Sequence, residues 1–266
     1  MEIVDTKENV IRLKHSDIYK GHLLLVNREH PIRCLQQNLK PVPRAYIHKS
    51  EQWRMMYLEA ECLQQLLSLL QACHALDDIA AVSCFRSSSE QDELYKAAAA
   101  ERGELFAASF VARPHESEHQ TGLAVDVGLS NEDVDYICPS FPDEGKSAIF
   151  KRLAAKYGFV QRYKESKTSI TRISCEPWHY RYIGVPHAML MERRDLCLEE
   201  YILYLKQFES NQKHLFIEQG NCIYEIYYVA SVGTETAVTI PEQACYTISG
   251  NNVDGFIVTI THQKRQ

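Results

Sequence analysis

An aspartate stands in the middle of an apolar segment that is typical of a buried strand, Leu123–Gly128 (LAVDVG). Side chains alternate along a strand, so Leu123, Val125 and Val127 share one face and Asp126 points to the other. A carboxylate in such a segment is costly to bury without a partner. A bound cation is one remedy for this cost.

A histidine lies just before this strand, in the stretch Ser117–Asp126 (SEHQTGLAVD). His119 and Asp126 are seven positions apart, so on one straight strand the two side chains would face opposite ways. Gly122 lies between them and offers the turn that can bring the imidazole back toward the carboxylate. His115, four residues earlier, is a rival ligand.

A second carboxylate and a second histidine occur together in Glu176–Tyr180 (EPWHY). Pro177 disfavours the helical conformation for Glu176, so this segment is expected to be extended or bulged and to enter a strand. Two histidines and one aspartate, here His119, Asp126 and His179, form a sensible three-ligand zinc site that leaves a fourth position for water. Glu176 can then take the proton from that water.

A third informative stretch is Ser83–Gln91 (SCFRSSSEQ), which follows an apolar segment. Arg86 lies at the expected turn from strand to helix, where a guanidinium can face a cleft and meet negative charge that develops on a tetrahedral oxygen. Gln91 and Ser117 are neutral donors suited to the terminal carboxylate of a substrate.

Charge and cysteine content limit the class of protein. The formal net charge is −6 and no more than two Lys or Arg residues stand in a row, which argues against a nucleic-acid partner. Nine cysteines without a CxxC pair favour a reducing compartment. The first 21 residues lack the apolar core of a signal peptide and no later segment is long and apolar enough to span a membrane, so we expect a cytoplasmic protein.

Apolar periodicity and turn residues predict an α+β domain over residues 1–195 and a helix with a small, mostly-β appendage over residues 196–266. The predicted strands of the first domain are His22–Val26, Ile79–Cys84, Leu123–Gly128 and Trp178–Ile183. Its predicted helices are a long one at Glu51–Leu76 capped by Ser50, one opened by a capping box of Ser88 and Gln91, and Lys146–Tyr157. A helix near Leu198–Phe208 and five short strands between Leu215 and Thr261 make up the second domain.

The three stretches together resemble the signature of the LAS metallopeptidases, the D-alanyl-D-alanine carboxypeptidase and dipeptidase group. The matching residues are SxxRSxxxQ in Ser83–Gln91, SxHxxGxAxD in Ser117–Asp126 and EPWH in Glu176–His179, in that order. Phe85 departs from the pattern, since the family usually has a tyrosine before the arginine. Further stretches, among them GHLLLVNREHPIR, GFVQRY and ISGNNVDGFIVTI, are similar to the cytoplasmic vancomycin-resistance D,D-peptidases of the VanXY type.

The resemblance implies a hedgehog/D,D-peptidase-like zinc domain and one Zn²⁺ per chain. His119, Asp126 and His179 would bind the zinc, Glu176 would be the general base and acid, and Arg86 would stabilise the transition state. Gln91 and Ser117 would bind the substrate, which would be D-Ala-D-Ala or a UDP-linked muramyl pentapeptide. Removal of the D-Ala-D-Ala terminus from cell-wall precursors before their export would favour incorporation of a substitute terminus that vancomycin binds poorly.

Two other readings stay open at the level of the sequence. An L,D-carboxypeptidase or an L-Ala-D-Glu endopeptidase can carry the same three motifs. A zinc-binding module without catalysis, as in hedgehog domains, is disfavoured because both Glu176 and Arg86 are present. Residues 209–266 could serve dimerisation, stability or substrate restriction.

Overall fold

A computed structural model describes residues 8–34, 38–130 and 133–264. Strands in these residues are β1 (Glu8–Lys14), β2 (Leu39–Pro41), β3 (Tyr57–Glu59), β4 (Ile79–Ser83), β5 (Ala124–Leu129), β6 (Phe159–Tyr163), β7 (Glu176–Tyr182), β8 (Leu215–Gln219), β9 (Cys222–Ala230), β10 (Glu235–Pro241), β11 (Cys245–Gly250) and β12 (Gly255–Gln263). Helices are α1 (Ala60–Ala72), α2 (Ser88–Arg102), α3 (Glu104–Phe110), α4 (Gly145–Ala154), α5 (Thr168–Thr171), α6 (Val185–Arg194) and α7 (Leu198–Leu205).

The chain divides into two compact units, which we call the central unit (residues 26–199) and the terminal unit (residues 1–25 with 200–266). The predicted division into residues 1–195 and 196–266 differs from these units at the N-terminus. Strand β1 pairs with β10 along seven residues, from Glu8 opposite Pro241 to Lys14 opposite Glu235. This ladder joins the start of the described chain to the C-terminal strands.

The central unit is built on a four-stranded antiparallel sheet in the order β4-β5-β7-β6. Val125 and Val127 on one face of β5, with Leu123 just before the strand, pack into a core that also contains side chains from α1 and α4, such as Leu66 and Phe150. All five of these side chains are at most 1% exposed. Because alternate residues face opposite ways, the same burial turns Asp126 to the other face of the sheet.

The terminal unit is mostly β, as the sequence predicts. Strands β11, β12, β9 and β8 form an antiparallel sheet, and β1 and β10 form a two-stranded one. Alternate residues of these strands build a core around Phe256, Val258 and Ile240. The observed mixture of helices and sheets confirms the α+β class.

Two sequence predictions in the first 80 residues are wrong. His22–Val26 forms no strand, although its last four residues are buried; in this segment the N–H of Leu25 donates to the carbonyl of Asn251 instead. The long helix begins at Ala60, not at Glu51, because residues 57–59 pair with β2 as strand β3. Glu59 then caps the helix, since its side chain accepts the N–H groups of Glu61 and Cys62.

Other boundaries differ by smaller amounts. The capping box at the start of α2 is formed by Ser87 and Glu90, one residue before the predicted pair. The predicted helix Lys146–Tyr157 is observed as α4 followed by a short 3-10 turn that ends at Gly158 in the left-handed conformation, but the sequence did not predict strand β6 or helix α6. The nine cysteines are all free thiols. In the described part of the chain, which omits residues 1–7 of the N-terminal stretch, no helix combines the length and apolar character needed to cross a membrane.

Candidate active site

The structure brings all seven predicted site residues to one narrow pocket of the central unit. The pocket has a volume of about 40 Å³ and is walled by apolar side chains such as Leu94, Phe110 and Trp178. The predicted residues that line it are Arg86, Gln91, Ser117, His119, Asp126, Glu176 and His179.

Asp126 and His179 meet because their strands are paired. They lie directly opposite each other on the antiparallel strands β5 and β7, so their side chains leave the sheet on the same face. Asp126 Oδ1 is 3.0 Å from Nδ1 of His179. Both side chains are almost completely buried, at 5% and 3% exposure.

Glu176 joins this face through an irregularity in β7. Alternation along a regular strand would send Glu176 and His179, three residues apart, to opposite faces. The pairing with β6 shifts instead, from Gln161 opposite Tyr180 to Tyr163 opposite Glu176, so two more residues are used on β7 than on β6. Glu176 Oε2 consequently lies 3.7 Å from Nδ1 of His179.

His119 reaches Asp126 from a short 3-10 turn, Glu118–Thr121, that ends at Gly122. Gly122 has φ +70°, a left-handed conformation that favours glycine, and a Cβ there would lie 2.5 Å from a terminal carbon of Leu39, which would have to move. The Nδ1 atom of His119 is 2.7 Å from the Cys84 carbonyl, and its Nε2 atom is 3.0 Å from Asp126 Oδ2.

The donor atoms of His119, Asp126 and His179 fit a zinc ion. They all lie within 4.8 Å of one another and all three residues are buried. Nitrogen and carboxylate oxygen are ligands that zinc takes, and three protein ligands leave one position open, as in catalytic sites. His115 is not in this cluster; it is exposed, and its Nε2 lies 3.3 Å from the Ser88 hydroxyl.

Three hydrogen bonds hold the Arg86 side chain just before the start of α2. Its guanidinium donates to Gln91 Oε1 at 3.0 Å, to the Ser83 hydroxyl at 3.2 Å and to Asp126 Oδ2 at 3.4 Å. Gln91 in turn donates from its amide to the Ala112 carbonyl at 2.7 Å. Gln91 therefore orients Arg86 while lining the pocket, a role that the sequence did not suggest.

The carboxyl group of Glu176 is in an environment suited to proton transfer. Burial raises its pKa to about 8; the charge of His179 counters this rise and that of Asp126 adds to it. A carboxyl group with a pKa near neutrality can both accept and return a proton.

A buried group of three charged residues, Glu118 in the pocket wall with Arg162 and Arg181, was not singled out by sequence reasoning. Glu118 is fully buried between Arg162 and Arg181, which lie 44 and 63 residues away along the chain. Burial alone would raise the pKa of Glu118, but the two arginines hold it well below its usual range. No local pattern could reveal this group, because its partners come from distant strands.

A larger cavity, of about 410 Å³, adjoins the pocket. The two share the wall residues Val111, Ala112, Tyr163 and Ile173. The lining residues of the cavity with charged, exposed side chains are Arg28, Glu29, Arg113 and Arg172. Arg172 pairs with Glu29 at 3.2 Å.

Comparisons with known proteins agree with this geometry. Residues 55–185 match the family model described as VanY, D-alanyl-D-alanine carboxypeptidase. The chain is 40% identical over 186 residues to the bifunctional D-Ala-D-Ala dipeptidase and D-Ala-D-Ala carboxypeptidase VanXYC of Enterococcus gallinarum, covering 70% of this chain and 95% of that protein.

Two solved structures are similar as well. The vancomycin-resistance D,D-dipeptidase VanXYg in complex with a D-Ala-D-Ala phosphinate analogue has a TM-score of 0.90 and 39% identity, over 96% of this chain and all of that one. A VanY D,D-pentapeptidase variant from a VanB-type resistance cassette, in complex with Zn(II), has a TM-score of 0.54 and 29% identity over 68% of this chain and 98% of that one.

Proposed function

The chain belongs to the VanY family of D-alanyl-D-alanine carboxypeptidases, and on this basis we propose how its side chains divide the work of a zinc-dependent D,D-peptidase. The reaction is hydrolysis of the peptide bond between two D-alanine residues, either in the dipeptide or at the C-terminus of a longer precursor, and it contributes to resistance to vancomycin-type glycopeptides. The convergence of His119, Asp126 and His179 beside Glu176 and Arg86 carries this proposal.

The three clustered ligands would hold one zinc ion per chain. When bound, zinc lowers the pKa of a water molecule and polarises the carbonyl of the scissile bond. The carbonyl of Cys84, bonded to Nδ1 of His119, keeps the Nε2 atom of that ring directed to the cluster.

Glu176 acts as the base and then as the acid. It accepts a proton from the water whose oxygen attacks the scissile carbonyl carbon, and it gives the proton to the departing amine nitrogen as the C–N bond breaks. Glu176 lies beside His179 but is not one of the three clustered ligands, and this position supports the role.

Arg86 faces the oxygen on which negative charge develops. Its contacts with Gln91 and Ser83 fix the guanidinium before the substrate arrives, so little reorganisation is needed in the transition state. Ser117 and Gln91 line the same pocket, where the serine hydroxyl and the remaining amide hydrogen of Gln91 would bind the terminal carboxylate of the substrate.

Replacing Arg86 by alanine tests this assignment. We expect kcat to fall by about 100- to 1,000-fold, equivalent to about 2.7–4 kcal/mol, with a much smaller change in KM, because the guanidinium acts mainly in the transition state. Steady-state kinetics with D-Ala-D-Ala measure both constants. A rise in KM alone would show that Arg86 binds the ground-state carboxylate instead.

The cavity beside the catalytic pocket supports a second, longer substrate. A dipeptide does not need 410 Å³ of additional space, whereas the residues before the scissile bond of a UDP-linked muramyl pentapeptide do. The diphosphate and carboxylates of such a precursor are anionic and would meet Arg28 and Arg113 at the cavity wall. This substrate exists before export, so a cytoplasmic location is part of the proposal.

Exchanging Arg113 for glutamine separates the two substrates. We expect kcat/KM for the UDP-linked muramyl pentapeptide to fall by about fivefold, since one exposed ion pair contributes about 1 kcal/mol, while kcat/KM for D-Ala-D-Ala stays unchanged. Arg193→Gln, an exposed arginine on α6 outside the cavity, is the matched control. If kcat/KM fell equally for both substrates, or equally in both variants, the cavity would not be part of the binding site for the pentapeptide.

A further inference from the structure

One fully buried carboxylate has no part in the reaction described above. The side chain of Glu118 is 0% exposed, and its Oε1 atom accepts hydrogen bonds from Nε of Arg162 at 2.8 Å and from a terminal nitrogen of Arg181 at 2.7 Å. Both guanidinium groups donate to Oε1, so the second oxygen of the carboxylate, Oε2, can face a different partner.

That second oxygen faces a proposed zinc ligand. Oε2 of Glu118 is 3.5 Å from Nε2 of His179, while Nδ1 of the same ring is 3.0 Å from Asp126. The His179 ring thus lies between two carboxylates: its Nδ1 atom faces Asp126 and its Nε2 atom faces Glu118. The rings of Tyr163 and His119 pack against it, with centroids 5.0 Å and 4.9 Å away.

Glu118 is itself held in place by a balanced group of charges. Arg162 also donates to both oxygens of Glu199, at 2.9 and 2.7 Å, and Arg181 donates from Nε to the Tyr182 carbonyl. Two arginines and two glutamates therefore neutralise one another. A buried carboxylate fixed by two charged donors cannot rotate away at low cost.

We propose that Glu118 is a positioning residue for the metal site: it accepts the Nε2–H of His179 and so holds Nδ1 of that ring toward Asp126 and the zinc. The inference rests on the zinc site of the proposed function. Carboxylates that accept the second N–H of a ligating histidine fix the orientation of the ring and strengthen metal binding, and their loss typically weakens metal affinity by about 10- to 100-fold.

The test compares Glu118→Gln with Glu199→Gln. Both variants remove one negative charge from the same buried group, so both are expected to lower the melting temperature, but only Glu118 faces His179. Zinc affinity is measured by competition with a chelator. We expect Glu118→Gln to bind zinc about 10- to 100-fold more weakly than the wild type and Glu199→Gln to stay within about threefold.

A measurement on the wild-type protein keeps the inference testable if Glu118→Gln does not fold. In the zinc-loaded protein labelled with ¹⁵N-histidine, we expect NMR to show His179 protonated on Nε2, with that proton protected from exchange, and His119 protonated on Nδ1.

Zinc affinity of Glu118→Gln equal to that of the wild type, equal weakening in Glu199→Gln, or an unprotonated His179 Nε2 would each overturn the role of Glu118 while leaving the zinc site intact. A wild-type protein that binds no zinc would overturn both together.

Discussion

Replacing Glu176 by alanine is expected to lower kcat for D-Ala-D-Ala by about 100- to 10,000-fold while the protein keeps its zinc. The carboxyl group is placed beside His179 but is not one of the three clustered ligands, so its loss removes the proton acceptor without removing a metal contact. Zinc content and kcat should be measured on the same preparation. Loss of zinc together with activity would mean that Glu176 is a ligand and that its role as base is wrong.

Replacing His119 by alanine should give the opposite pattern, with zinc and activity lost together. Two remaining ligands rarely hold zinc tightly at neutral pH. Metal analysis of the purified variant should find far less than one zinc per chain, and D-alanine release should be undetectable above background.

His115 provides the matched control for this substitution, because it is the nearest histidine in the sequence and lies outside the ligand cluster. Its backbone is left-handed, with φ +69°, so asparagine is the least disruptive replacement. His115→Asn should keep both zinc and activity. Full zinc occupancy in His119→Ala, with zinc lost in His115→Asn, would transfer the ligand role to His115.

The site could be predicted from the sequence where its requirements are local. Three signals act within a few residues of the chain. Asp126 interrupts an apolar strand, Gly122 permits a left-handed turn, and Pro177 keeps Glu176 out of the helical conformation. These signals led to Asp126, the turn at Gly122 and the bulged entry of β7, and the structure places all three as expected.

Features that depend on distant partners could not be predicted in this way. Glu118 has its role only because Arg162 and Arg181 fold beneath it, and neither is near it in the sequence. Strand β1 likewise finds its partner β10 more than 200 residues later. The start of α1 was misplaced for the same reason, since residues 57–59 are strand only because β2 pairs with them.

Conversely, some local signals were correct in type but shifted in position. Serine and acidic residues crowd the start of α2, so a capping box was expected one residue late; the observed pair is Ser87 and Glu90. Ser87, Ser88 and Ser89 follow one another, so the sequence pattern alone does not decide which serine caps the helix.

The most direct test of a zinc-dependent D,D-peptidase is D-alanine release from D-Ala-D-Ala by one preparation in three states: as purified, after complete zinc removal with a chelator, and after zinc is restored. We predict release in the first state, its loss in the second and its recovery in the third. Release that persists without zinc, or no D-alanine from the zinc-loaded protein, would contradict the proposed function.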